Sequence, residues 1–122
     1  MKILVAHASN YDYRTELYEP LKHSVLAQEH TIIFPHDAEN LEIETNSHIP
    51  DAGLLIAEVS HASTGAGIEI GLAQAAGIPT IFLLKAGITP SSSALKFIKG
   101  TLIEYADASD LVAKVQEYLA NS

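Results

Sequence analysis

A chain of 122 residues is long enough to bury one substantial core and too short for two independent ones. Its composition, 48% hydrophobic and 18% charged, is globular, and a formal net charge of -8 opposes binding to a nucleic acid polymer, which calls for a basic surface. The absence of cysteine excludes disulfides, thiolate metal sites and a cysteine nucleophile. No apolar run approaches the roughly 20 residues that cross a bilayer, so a cytoplasmic protein with no membrane partner is expected.

In chain order, the apolar run 3–6 reads as a buried strand that stops at His7, too early for a secretory signal. Leu17, Leu21, Val25 and Leu26 then keep a helical period. A second strand is expected over 31–34 and a third over 54–59. Ile68, Leu72, Ala73 and Ala76 give another helical stretch, closed by Gly77. A fourth strand follows over 80–84 and a weaker fifth over 101–105. The amphipathic stretch 108–119 places Leu111, Val112, Val115, Tyr118 and Leu119 on one helical face, with Asp107 or Ser109 as its cap. Strands alternating with helices imply one doubly wound (Rossmann/flavodoxin-like) α/β domain over 1–122, built on a five-stranded parallel sheet. Such sheets bind ligands at the carboxyl ends of their strands, which here means loops 6–13, 35–51, 60–67 and 85–93.

The run from Ala57 to Gly71 leaves a strand, crosses a Ser/Gly-rich turn and enters a helix. Gly65 and Gly67 let a ligand approach the backbone, Ser63 and Thr64 offer hydroxyls, and the helix N-terminus adds unpaired N–H groups. The dinucleotide fingerprint fails for want of a third glycine, and the P-loop for want of Gly-Lys-Ser/Thr. Glu69 lies about one turn inside that helix among small and apolar residues. Two readings of it stand side by side, an exposed helical carboxylate favoured by the dipole and a carboxylate aimed at the crevice.

The whole chain resembles the nucleoside 2-deoxyribosyltransferase superfamily, and within it the 2'-deoxynucleoside 5'-phosphate N-hydrolase branch. The likeness is densest over 52–79, where Leu54-Leu55-Ile56-Ala57-Glu58-Val59-Ser60 is similar to the family strand. Ser63, Gly65, Gly67, Glu69 and Gly71 follow the pattern Ser-x-Gly-x-Gly-x-Glu-x-Gly, and Ala75-Ala76-Gly77-Ile78-Pro79 follows the helix exit. The resemblance implies that Glu69 attacks the anomeric carbon, that Ser63 and Gly65 contact a ligand phosphate, and that His36 is an active-site histidine. It also implies pairing of the chain into a homodimer or higher homo-oligomer, for which the small residues of helix 71–76 would allow close packing. Two departures stand out. His7-Ala8-Ser9-Asn10 replaces the Gly-Ser pair and the following phosphate-binding Arg, and Thr45 stands where the family carries an aspartate, unless Glu44 or Asp37 fills that place.

Glycosidic cleavage passes through an oxocarbenium-like sugar that a carboxylate below C1' can trap, and the departing base needs a proton or hydrogen bond. The expectation is therefore a nucleoside or nucleoside monophosphate as ligand, with no metal and no organic cofactor. Glu69, His36 and Asp37 are the catalytic candidates, and His7, Ser63, Gly65 and Gly67 the substrate-binding ones. Glu44 and His7 are further candidates for giving the base its proton, whereas Glu58 reads as a structural hydrogen-bond acceptor. Tyr11 and Tyr13 could stack on a base, and Ser91, Ser92 and Ser93 could reach a neighbouring subunit. His48 and His61 show no spacing that defines a metal site. Plainer readings remain beside these: loop histidines without a task and solvated carboxylates. At the level of function the alternatives are a non-catalytic nucleotide-binding or sensing domain and cleavage of the nicotinamide glycosidic bond of NAD.

Overall fold

The computed structural model of the chain describes residues 1–41 and 43–122. Strand β1 (Lys2–Ala6) is followed by a π turn (Arg14–Tyr18) that runs into α1 (Glu19–Lys22), then by α2 (Val25–Glu29) and β2 (Thr31–Ile33). After a segment of short 3-10 turns come β3 (Ala52–Glu58), α3 (Thr64–Ala75), β4 (Thr80–Lys85), β5 (Thr101–Tyr105) and α4 (Ala108–Ala120). The five strands form one sheet in the order β2-β1-β3-β4-β5, and every pair is parallel. The expected five-stranded parallel sheet is therefore present, in the flavodoxin-like order whose ligand crevice opens between β1 and β3.

Side-chain alternation divides the core into two layers. Ile3, Val5, Leu54, Ile56, Ile81 and Leu83 face one way and pack with Leu17, Tyr18, Leu21, Leu111 and Val115 of the first helical segment and α4. Leu4, Ala6, Leu55, Ala57, Phe82 and Leu84 face the other way, against Ala66, Ile70 and Ala73 of α3. Helices cover both faces, as parallel sheets with apolar residues on both sides require.

Local boundaries follow the caps. Ser63 Oγ accepts the Ala66 N–H at the start of α3, and Asp107, one of the two expected caps, accepts from Asp110 N–H at the start of α4. Gly77, at φ +73°, turns the chain out of α3 into β4. Two helical faces differ from expectation. The helix through Leu17 and Leu21 ends at His23, Ser24 Oγ donates to the Leu21 carbonyl, and Val25 is left 42% exposed on a separate short helix. In α3 the buried face is Ala66, Ile70 and Ala73, spaced by four and three residues, so Ile68 and Leu72 point outward and Ala76 is exposed. A helix that nestles close to a sheet buries its small residues, which a reading by hydrophobicity alone passes over.

No helix among the described residues is long and apolar enough to cross a membrane.

Candidate functional site

Glu69 sits on the flank of α3, half-buried, where the helix passes over β1 and the segment that follows β2. Its side chain lines a cavity of about 260 Å³ shared with His36 and His48. Leu4 and Leu55 form the floor, and Ile33, Leu41 and Ile49 add apolar walls. The chamber therefore joins one carboxylate, two imidazoles and the Asn40 amide to apolar walls.

His36 is held there by a network built on the helix that packs beneath it. Tyr18, fully buried, accepts the His36 backbone N–H at 3.0 Å, and Arg14 Nη2 donates to the His36 carbonyl at 3.0 Å. The ring Nδ1 lies 3.2 Å from the Tyr13 hydroxyl. Next along the chain, the Asp37 carboxylate takes Lys22 Nζ at 2.7 Å and Arg14 Nη1 at 3.4 Å. Asp37 thus clamps the loop to the first helical segment and is not among the residues lining the Glu69 cavity. Glu44 is exposed outside that lining, and Thr45 begins a 3-10 turn, Thr45–Ser47.

His7 leaves β1 in phase with Ile3 and Val5, so it enters the layer opposite α3. Its Nδ1 lies 2.6 Å from the Ala8 carbonyl, which can only accept, so Nδ1 carries the proton. Nε2, 2.6 Å from Tyr18 Oη, then accepts the phenol proton while that oxygen receives His36 N–H. Burial lowers the His7 pKa, with His36 and Arg14 adding to the effect against the Ala8 bond. His7 does not line the Glu69 cavity, yet its ring centroid is 4.9 Å from that of His36.

The turn 63–67 opens on a different space. Ser63, Thr64, Ala66 and Gly67 border a cavity of about 270 Å³ with Ser91 and Ser92 of the same chain. Gly65 is exposed on the first turn. Ser63 Oγ serves the Ala66 N–H, and Gly67 N–H bonds the Ser63 carbonyl, so the donors that helix geometry leaves over are those of Thr64 and Gly65. Glu58 lies at the base of this space, where it accepts from the Tyr105 hydroxyl, from Ser60 N–H at 2.6 Å and from Ser60 Oγ at 2.9 Å. Its carboxylate is a hydrogen-bond acceptor that ties β3 to β5. Burial and this carboxylate together push the Tyr105 pKa up. Tyr11 stacks on His61 with centroids 4.2 Å apart, whereas Tyr13 packs on His7 and His36.

The expected site residues are therefore distributed: Glu69 and His36 share one cavity, Ser63 and Gly67 a neighbouring one, and His7 and Asp37 support the loop behind His36. Sequence reasoning missed Tyr18, Arg14 and Lys22, whose roles appear only when the helix packs under the β2 exit, and it missed His48. Among the described residues, no group of three His, Asp or Glu is gathered as metal ligands.

No family model matches the chain. A curated relative from Syntrophotalea carbinolica, named "Putative 2'-deoxynucleoside 5'-phosphate N-hydrolase 1", is 40% identical over 76 residues, which are 61% of this chain. The match takes in 54% of the relative, so the chain spans about half the length of the curated relative it matches. Among solved structures, the Clostridium botulinum CMP N-glycosidase BcmB superposes with a TM-score of 0.74 at 18% identity, over 97% of this chain and 99% of that one. At that identity the likeness is one of fold. In sequence and in fold, the chain thus resembles the nucleoside 2-deoxyribosyltransferase superfamily that the run from Ser63 to Gly71 implies.

Proposed function

We propose that residues 1–122 form one nucleoside 2-deoxyribosyltransferase-like domain that cleaves, or transfers at, the N-glycosidic bond of a (deoxy)nucleoside or nucleoside monophosphate. The observation that carries this reading is the pairing of Glu69 with an anchored His36 in one cavity. Glu69 attacks C1' as the C1'–N bond breaks, forming a glycosyl ester. The base takes the bonding electron pair and a proton or hydrogen bond from an imidazole. Water then releases the sugar and restores the carboxylate, or a second base takes its place. The N-hydrolase and N-glycosidase names of the sequence relative and the structural neighbour support this chemistry.

A monophosphate would lie toward Ser63, Gly65 and Gly67, and the cavity that Ser63 and Gly67 border is lined by no Lys or Arg among the described residues. The N–H donors at the start of α3 would carry that contact. No metal or organic cofactor enters the proposed reaction.

Chromatographic assay of base release, run on deoxynucleosides and their monophosphates, tests the reading. Glu69→Gln should lower kcat by roughly a thousandfold or more while affinity changes little, because a nucleophile acts on the transition state. Undiminished release would rule out the nucleophile role. Thr45 at the place of the family aspartate favours the alternative, a nucleotide-binding or sensing domain, and clear ligand binding without release from any substrate would select it.

A further inference from the structure

Tyr13 stands directly before the Arg14–Tyr18 π turn, half-buried, with aromatic rings packed around it. Its ring centroid lies 4.5 Å from that of His7, 5.0 Å from that of Tyr18 and 5.1 Å from that of His36, so the phenol has little freedom to turn away. The hydroxyl ends 3.2 Å from His36 Nδ1, its one hydrogen-bond partner among the described residues. A half-buried phenol keeps its hydrogen paired by donating it, and Nδ1 is the acceptor on offer. The Arg14 guanidinium, 5.4 Å from the centre of the Tyr13 ring, favours the same direction, because positive charge beside a phenol favours giving a proton over accepting one. A neutral imidazole that accepts at Nδ1 carries its own proton on Nε2. That nitrogen of His36 has no partner among the described residues. The buried side-chain polar atoms left unpaired there are Tyr11 Oη and His48 Nε2, so His36 Nε2 is accessible, on a residue that lines the cavity of Glu69.

We propose that Tyr13 is a positioning residue that holds His36 in the tautomer with its proton on Nε2, so that His36 donates a hydrogen bond from Nε2 to the departing base. This rests on the glycosidase reading and deepens it. As Glu69 bonds to C1', the base leaves with the electron pair of the C1'–N bond, and the His36 N–H stabilises the charge that gathers on it. The proton stays on His36. In hydrolysis, the water that releases the sugar from Glu69 gives up a proton, and the base takes it.

Two measurements on the full chain test this. The first is 15N NMR of the His36 ring at about pH 8, where an ordinary imidazole is neutral. The wild type should show Nε2 protonated and Nδ1 as an acceptor, and Tyr13→Phe, which keeps the ring and removes the hydroxyl, should give a mixture of tautomers. A proton on Nδ1, or a tautomer ratio that Tyr13→Phe leaves unchanged, would overturn the proposal. The second compares deoxynucleosides and their monophosphates with the matching 2-deoxyribosides of 4-nitrophenol, whose anion departs without a proton. Tyr13→Phe should lower kcat for base release by roughly tenfold or more with KM little changed, and should alter 4-nitrophenolate release by less than about twofold. In a His36→Ala background, Tyr13→Phe should cost nothing further. Equal loss on both kinds of substrate, loss on neither, or an undiminished Tyr13 effect without His36 would also overturn it. Base release that Glu69→Gln does not diminish would defeat the nucleophile assignment and leave the Tyr13 effect standing, whereas no release from any substrate would defeat the glycosidase reading and the reaction step with it.

Discussion

A single proton on His7 organises the loops around the proposed site. With Nδ1–H committed to the Ala8 carbonyl, Nε2 stays an acceptor for Tyr18, and Tyr18 in turn receives the His36 backbone. Protonating His7 would oblige Nε2 to donate toward the Tyr18 oxygen, which burial and the neighbouring His36 and Arg14 oppose. The folded pKa therefore lies below the ordinary 6.5. Between the two values the unfolded chain binds more protons than the folded one, so stability rises with pH there. His7 thus contributes stability that is present above about pH 6.5 and is lost as pH falls through the folded pKa. Melting temperatures between pH 7.5 and 5 should fall more steeply for the wild type than for His7→Gln. Parallel curves for the two chains would show that His7 is not titrating against the fold.

Helix α3 carries three glycines in its 12 residues, at 65, 67 and 71, although each weakens a helix relative to alanine. The fold does not demand Gly67: a Cβ there would meet nothing within 4 Å, and its φ is not positive. Room left open at the start of a helix, beside the cavity of Ser63 and Ser91, is what close approach of a ligand backbone or phosphate would use. Gly67→Ala should raise stability by about 0.5–1 kcal/mol, or roughly 2–5 °C in Tm, by restricting the unfolded chain and favouring the helix. The same change should weaken monophosphate binding. Thermal melts and titrations on one preparation check both arms, and a variant that is more stable and binds unchanged would remove Gly67 from the proposed ligand contacts.

At the scale of the molecule, the outer side of α3 exposes Ile68, at 59%, and Leu72, at 38%, next to the small residues Gly71, Ala75 and Ala76. Such a face supports the proposed self-association through close helix packing, since exposed apolar side chains grouped on one helix are uncommon in monomers. Sedimentation velocity at micromolar concentration should show a dimer or larger species, and Ile68→Glu with Leu72→Glu should shift it to monomer. A wild-type monomer at that concentration would remove the proposal. What the sequence by itself determined was the sheet: apolar runs short enough to be strands and apolar on both faces, separated by helical periods, admit little besides a parallel sheet covered twice. The glutamate and its glycines were legible for the same reason, because they lie within one contiguous local motif. Tertiary structure alone decided the rest. Strand parity sent His7 to the layer opposite Glu69, the packing of Tyr18, Arg14 and Lys22 beneath the β2 exit turned Asp37 into a clamp and His36 into a cavity wall, and the short turns after β2 brought in His48. These placements depend on contacts between residues many positions apart, and a periodicity read along the chain contains no term for them.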